Sequence, residues 1–330
     1  MSQDRPPPRS SPRQSLLGTG PGKGGEPREE KREGEDWRAD SLSRSKHSRL
    51  DAEVSRPAED FDEEKAAALC AEISRNLLGD FAPAVLLLPG TERRRAQALL
   101  AYAGTLFDFA RQRGVEGERL AQINRWEFTL EAALSGERVG QPIFLRMGKE
   151  NERRRWPVDA LDDLAAGARR RATRAQPATV ADADVDALSL GRAVAAALLE
   201  KSLNAEIDGL ASALVRLWSL QHLGEEIDRR RCPLPMSEVT EGHEGRFDPR
   251  QLREATRREC DRLRSRLLRA PRGLVGLPQG YRRAAVFSLL AALRLLTEIE
   301  NEERDLLKAP PRLGVGSRIG FLLRARWVGR

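Results

Sequence analysis

The stretch Leu214–Pro235, LVRLWSLQHLGEEIDRRRCPLP, decides how this chain is read. Leu214, Leu217, Trp218, Leu220 and Leu223 recur at three- and four-residue spacing, which predicts one apolar face of an α-helix. The helix runs into the acidic residues Glu225 and Glu226, then the basic run Arg229 to Arg231, and Pro233 and Pro235 end it. Glu225 with Arg229, and Glu226 with Arg230, stand at i, i+4 spacing, so a purely stabilising pair on an exposed helix face is one reading of these charges.

Working outward, the same periodicity predicts helices at roughly 63–78, 91–113, 117–135, 157–174, 184–202, 205–230, 249–270 and 279–308. Gly79, Gly114 and Gly136 are expected C-caps. Strand-like alternation is absent, so the chain reads as all-α. The longest apolar run, around Val85 to Leu88, is far too short to span a bilayer. From Met1 to Ser55 the sequence is dense in Arg, Ser, Pro, Gly and Glu with no apolar periodicity, so residues 1–62 are expected to form a disordered tail ahead of a helical domain over 63–330. That tail carries no apolar core of a secretory signal.

The net charge of +7 is spread over short arginine runs at 93–95, 153–155, 169–171 and 229–231, each interrupted by acids. A nucleic-acid surface calls for a continuous basic face interleaved with aromatics, and two tyrosines and nine phenylalanines, mostly in apolar runs, argue against one. Cys70, Cys232 and Cys260 are widely spaced with no C-x-x-C, a reduced, cytoplasmic pattern. His47, His222 and His243 are too few and too scattered for a zinc site or a Ser-His-Asp triad.

With Leu234 and Pro235 as anchor, the opening stretch resembles the second signature of the squalene/phytoene synthase family, in which N-x-x-R-D-x-x-x-D leads through a basic turn into Leu-Pro. Gly224, Glu225, Arg229 and Arg231 match, and Glu226 stands for the last aspartate. Trp218 replaces the asparagine, Gln221 the arginine and His222 the first aspartate. The family's first signature, L-Y-A-F-C-R-x-x-D-D-x-x-D, lies over Leu99–Arg111, LLAYAGTLFDFAR. There Gly104 sits at the arginine, Phe107 at the leading aspartate and Arg111 at the trailing one, and only Asp108 survives. Phe81–Pro89, Arg125–Gly136 with Gln141-Pro142, and Pro278–Asp305 with the closing Arg318–Trp327 resemble further family segments in the family's order, with Asp80 and Leu86 at the places of a serine and an arginine.

The resemblance implies an isoprenoid synthase-like helical bundle around a central cavity. It also implies a prenyltransferase of carotenoid or triterpenoid metabolism that joins two prenyl diphosphates, with Mg²⁺ held between two carboxylate helices. Mg²⁺ demands oxygen ligands, so His222 is a poor substitute for a carboxylate, and a cation at Arg111 repels the metal. The expectation is therefore a pseudoenzyme, in which Asp108, Glu225 and Glu226 are vestiges of the catalytic set and Asp108 and Glu226 the remaining metal candidates. Arg111, Arg229 and Arg231 are the expected diphosphate-binding residues, through charge-assisted hydrogen bonds. Expected partners are a prenyl diphosphate or isoprenoid lipid and an active paralogue. Two alternatives stand beside this reading: an active prenyltransferase with a rebuilt Mg²⁺ site, and a non-catalytic helical interaction module. Asp108, the one acid in an apolar stretch, is expected to be buried against a partner, whereas His222 also reads as an ordinary polar residue on a helix. The tail from Ser317 mixes Ile319, Phe321, Leu322, Leu323 and Trp327 with Arg318, Arg324 and Arg326. It reads as the last core helix or as a segment that lies on an anionic membrane surface.

Overall fold

The computed structural model describes residues 62–199, 204–240, 242, 247–301 and 306–328. The chain divides into two units, Met1–Arg49 and Leu50–Arg330, and every described residue belongs to the second. The tail expected over 1–62 therefore lies, but for Asp62, outside the described residues.

The regular elements among the described residues are helical. In chain order they are α1 (Glu63–Leu78), α2 (Ala82–Val85), α3 (Gly90–Arg111), α4 (Glu116–Leu134), α5 (Pro142–Arg153), α6 (Val158–Thr173), α7 (Val180–Leu199), α8 (Ala205–Gln221), α9 (Leu223–Asp228), α10 (Pro249–Arg269), α11 (Pro271–Leu274), α12 (Gln279–Ile299) and α13 (Val315–Trp327). Their starts follow from local chemistry. Asp62, Asn204 and Asp248 each accept a hydrogen bond from a backbone N–H of the first turn, capping α1, α8 and α10. The turn after α4 closes through Gly136, at φ +91°: its N–H donates to Ala133 and that of Glu137 to Ala132.

Several expected boundaries need correcting. Helix α3 stops at Arg111 rather than continuing to 113, with Gln112 as cap, so Gly114 lies beyond the helix end. Helix α7 begins at Val180, because Thr179 and Asp182 exchange hydrogen bonds that start it early. Helix α12 ends at Ile299, short of 308. Helix α5 was not expected at all. Its Pro142 occupies the first turn, where a missing N–H costs nothing, and the sequence PIFLRMGKENER puts Ile143, Phe144 and Met147 into the core.

Two apolar cores form. The first gathers α3, α4, α5 and α6 with Cys70 of α1 and Ala193 and Ala197 of α7, around the aromatic set Tyr102, Trp126 and Phe144. The second gathers α8, α10 and α12, with Phe81, Leu234 and Ala325. The helices that carry the two signatures thus belong to different cores, α3 to the first and α8 to the second. Their meeting edge is where the altered residues stand.

Candidate functional site

The second signature does not lie on one continuous helix. The helix expected over 205–230 breaks at His222, whose backbone (φ −104°, ψ 26°) leaves the helical range between α8 and α9. The His222 Nδ1 lies 2.8 Å from the Trp218 carbonyl, which also accepts the His222 backbone N–H. A side chain that competes for the helical ladder is a recognised cause of such a break. Helix α9 then ends in a tight turn: Arg230 takes φ +57°, its N–H donates to Ile227, and that of Arg231 donates to Glu226. This turn sends the Arg231 guanidinium to the carbonyls of Arg171 and Arg174, where it caps the C-terminal end of α6.

On the first signature, Gly104 is packed against Leu77 of α1; a Cβ at this position would lie 2.9 Å from a Leu77 methyl. Leu77 also accepts, through its carbonyl, the Trp218 indole N–H at 3.0 Å. The end of α1 therefore engages two altered positions, one from each signature. Phe107 packs, partly buried, on the first core. Asp108 is a correction to the expected burial: its side chain is 53 % exposed, 3.6 Å from Arg111. Arg111, by contrast, is buried.

At the centre lies Glu226, whose side chain is 2 % exposed. Instead of pairing with Arg230 along its own helix, it faces Arg111 from α3, in a close ion pair, and Arg171 from α6 at 3.2 Å. Burial pushes the Glu226 carboxyl up, but Arg171, then Arg111, Arg231 and Arg229, outweigh it and hold the group below its ordinary value. Burial acts the other way on the cations, lowering Arg171 and bringing Arg231 down to about 10. The Arg111 guanidinium also lies over the Trp218 ring, 4.5 Å from its centroid, and that ring packs against His222 at a tilt of 31°, centroids 4.4 Å apart. Burial holds the His222 imidazole below its usual value, with Arg111 adding to the effect. Gln221 donates to Asp80 at 3.2 Å and to the Pro311 carbonyl at 2.8 Å, and Asp80 also accepts the Leu313 N–H. Of the remaining sequence candidates, Glu225 is exposed, and Arg229 is half-buried, with burial and then the Arg111 charge holding its pKa below the ordinary value against Glu225, Glu226 and Asp108.

A cavity of about 70 Å³ adjoins this cluster, lined among others by Arg171, Arg216, Ser219, Glu226, Arg231 and Glu259. That is small against roughly 300–1,000 Å³ for sites that enclose drug-sized ligands. A larger cavity, about 380 Å³, lies elsewhere, between the N-terminal ends of α3 and α12 at Pro89, Glu92, Arg154 and Tyr281.

The donor set does not suit Mg²⁺. This ion takes near-octahedral oxygen ligands, and Glu226 turns its oxygens to two guanidinium groups instead. Among the described residues no group of three or more His, Cys, Asp and Glu is placed to hold a metal. Of the expected diphosphate-binding residues, Arg111 is engaged by Glu226 and Arg231 by the end of α6. Sequence reasoning missed Arg171, Leu77 and the Asp80–Gln221 contact. The Arg169–Arg171 run was visible, but nothing in one dimension links it to Glu226, 55 residues on; Asp80 was noticed only as a replaced serine.

A profile of squalene/phytoene synthases matches residues 79–317. Among solved structures, the chain is similar to a dehydrosqualene synthase in complex with a ligand, at TM-score 0.67 and 15 % identity, over 81 % of this chain and 97 % of that one. It is similar to the squalene synthase HpnC from Alicyclobacillus acidocaldarius, at TM-score 0.59 and 18 % identity, over 76 % and 98 %. A ligand complex of TcSQS gives TM-score 0.62 and 12 % identity, over 79 % and 86 %. No curated protein matches the chain by sequence. The match over 79–317 includes both altered signatures and the helices that present them, and the chain belongs to the squalene/phytoene synthase family.

Proposed function

We propose that this chain is a squalene/phytoene synthase-like protein of isoprenoid metabolism, cytoplasmic, in which Mg²⁺-dependent coupling of prenyl diphosphates is lost or greatly weakened. One observation carries the reading: Arg111, at a metal-binding aspartate position of the first signature, is ion-paired to Glu226, at one of the second. A carboxylate–metal–carboxylate bridge is thereby replaced by a direct guanidinium–carboxylate bridge that meets its own charge. Three of the other substitutions, Trp218, His222 and Gly104, support the same reading through linked contacts. Trp218 lies between Arg111 and His222, Gly104 admits Leu77, and Leu77 accepts from Trp218. In this role the protein binds a prenyl diphosphate or an isoprenoid lipid without turnover, or acts beside an active paralogue.

The cavity of about 70 Å³ beside Glu226 supports a second reading, a helical interaction module with no isoprenoid ligand. One pair of assays separates these readings. Purified protein is given farnesyl and geranylgeranyl diphosphate with Mg²⁺ and a reductant, products are analysed by mass spectrometry, and binding of each diphosphate is measured by calorimetry. Binding with no product is the expected result. A C30 or C40 hydrocarbon, or its cyclopropyl diphosphate precursor, overturns the pseudoenzyme reading, and absence of both binding and product favours the interaction module.

A further inference from the structure

Two stretches far apart in the chain share a pattern. Leu88-Pro89 is followed by Gly90-Thr91-Glu92 and Arg93-Arg94, and Leu277-Pro278 by Gln279-Gly280-Tyr281 and Arg282-Arg283. Both fold into the same clamped turn. Arg93 donates to the carbonyls of Leu86 at 2.9 Å and Leu88 at 3.2 Å, and Arg282 to those of Val275 at 2.8 Å and Leu277 at 3.1 Å. Each guanidinium thus fixes the turn that opens its own helix, α3 or α12. The two turns meet closely: a Cβ on Gly280 would lie 2.6 Å from the Pro89 ring, so the absence of a side chain admits the approach. The cavity of about 380 Å³ lies between them, inside the roughly 300–1,000 Å³ range of sites that enclose small ligands. Its clamped walls are preformed, which spares a ligand the cost of ordering them.

The lining is apolar with one polar edge. Pro89, Pro278, Leu198 and Leu199 face the cavity. Along the edge, Arg154 holds Glu92 through two hydrogen bonds, at 3.1 and 3.2 Å, and the Tyr281 hydroxyl donates to the same carboxylate. Burial and then Glu92 hold the Tyr281 phenol well above its ordinary value, so it keeps its proton. That proton faces two acceptors, Glu92 and, at 3.1 Å, the Leu198 carbonyl, and the closer, charged one takes it. The Leu198 carbonyl is left with a long contact from Arg154, at 3.5 Å, and with room for a further donor. Among the described residues that line the cavity, Glu92 and Arg154 carry charge, and they neutralise each other. A carboxylate ligand would be repelled by Glu92 and an ammonium by Arg154, each after losing its hydration. A neutral ligand meets neither cost.

We propose that this cavity binds a small neutral alcohol, its apolar body between Pro89 and Pro278 and its hydroxyl donating to the Leu198 carbonyl. Glu92 stands sixteen residues before Asp108 on α3, about 24 Å at 1.5 Å per residue, so this site lies well away from the altered signatures. It stands apart from the ligand reading above, since it needs neither a diphosphate nor catalysis.

The test is calorimetric titration of the full chain at neutral pH with three probes of one body and different charge: naphthalenemethanol, naphthoate and naphthylmethylammonium. The alcohol should bind at least about tenfold tighter than either ion. Glu92→Gln leaves Arg154 without its balancing charge and should turn the preference to naphthoate, and Arg154→Gln should turn it to the ammonium. Leu199→Trp, which fills the cavity from its apolar wall, should abolish binding of all three with an unchanged melting temperature. Absence of alcohol binding overturns the proposal, and so does equal binding of the three probes. A preference that neither Glu92→Gln nor Arg154→Gln moves, or binding that survives Leu199→Trp, would place the contact elsewhere in the chain and overturn it as well.

Discussion

Changing Glu226 to Gln removes one negative charge from between two buried cations. Arg171 lies 3.2 Å from the carboxylate and Arg111 is closer still. At an effective dielectric of about 20, each attraction is worth ~5 kcal/mol before desolvation is counted. Removing one partner of a buried ion pair costs about 3–5 kcal/mol, because the remaining charge stays buried and uncompensated. At roughly 2–4 °C per kcal/mol for a domain of this size, thermal unfolding followed by circular dichroism should fall by about 6–20 °C. The pH dependence isolates the charge. Because the folded-state pKa of Glu226 lies below its ordinary value of 4.5, its contribution is fully present above pH 4.5 and is lost as pH falls through the lowered folded value. The gap between wild type and Glu226→Gln is therefore largest at neutral pH and narrows in acid. Replacing the whole triad, Arg111→Met with Arg171→Leu and Glu226→Leu, should be neutral or stabilising by about 1–4 kcal/mol. A Glu226→Gln protein within about 0.5 kcal/mol of wild type, or a gap independent of pH, would refute the buried bridge.

Other substitutions probe the contacts around it. Gly104→Arg, which restores the family residue, drives a Cβ toward Leu77 and buries a cation; a loss of about 2 kcal/mol or more in urea unfolding is expected, whereas Gly104→Ala costs less because the Leu77 methyl is flexible. Arg230→Gly relieves the φ +57° backbone of the α9 turn and should raise stability by about 0.5–1 kcal/mol, and a destabilised variant would count against the turn. His222 is held below its usual value of 6.5 by burial, so stability should fall as pH drops from about 6.5 through the lowered folded value, by up to about 1.4 kcal/mol per pH unit. His222→Asn should flatten that slope, and an unchanged slope would mean that the imidazole titrates freely.

The fold was legible because apolar spacing survives substitution of the chemistry. Leu217, Leu220 and Leu223 are buried in the second core as their periodicity required, and Leu234 is buried where the family anchor put it. Helix α5 escaped because Pro142 was read as the close of a family segment, although proline suits the first turn of a helix. The break at His222 escaped because periodicity runs straight through it; only the contact of the ring with the Trp218 carbonyl marks the interruption. At the site, the altered positions were all visible as departures from the family pattern, but their mutual contacts were not. That Arg111 lies over Trp218, and that Leu77 serves both Gly104 and Trp218, depends on how α1, α3 and α8 approach one another. Asp108 was misjudged for a related reason: apolar neighbours in sequence point to other sides of a helix, and its own side faces water.

Direct titration of Mg²⁺, with and without inorganic diphosphate, into the wild type and into Arg111→Asp tests the central claim most closely. The Arg111–Glu226 bridge predicts no saturable Mg²⁺ binding by the wild type. It also predicts a measurable gain in Arg111→Asp, which exchanges the blocking cation for a carboxylate facing Glu226. Stoichiometric Mg²⁺ binding by the wild type that disappears in Glu226→Gln would contradict the account, because Glu226 would then be a metal ligand rather than the partner of Arg111.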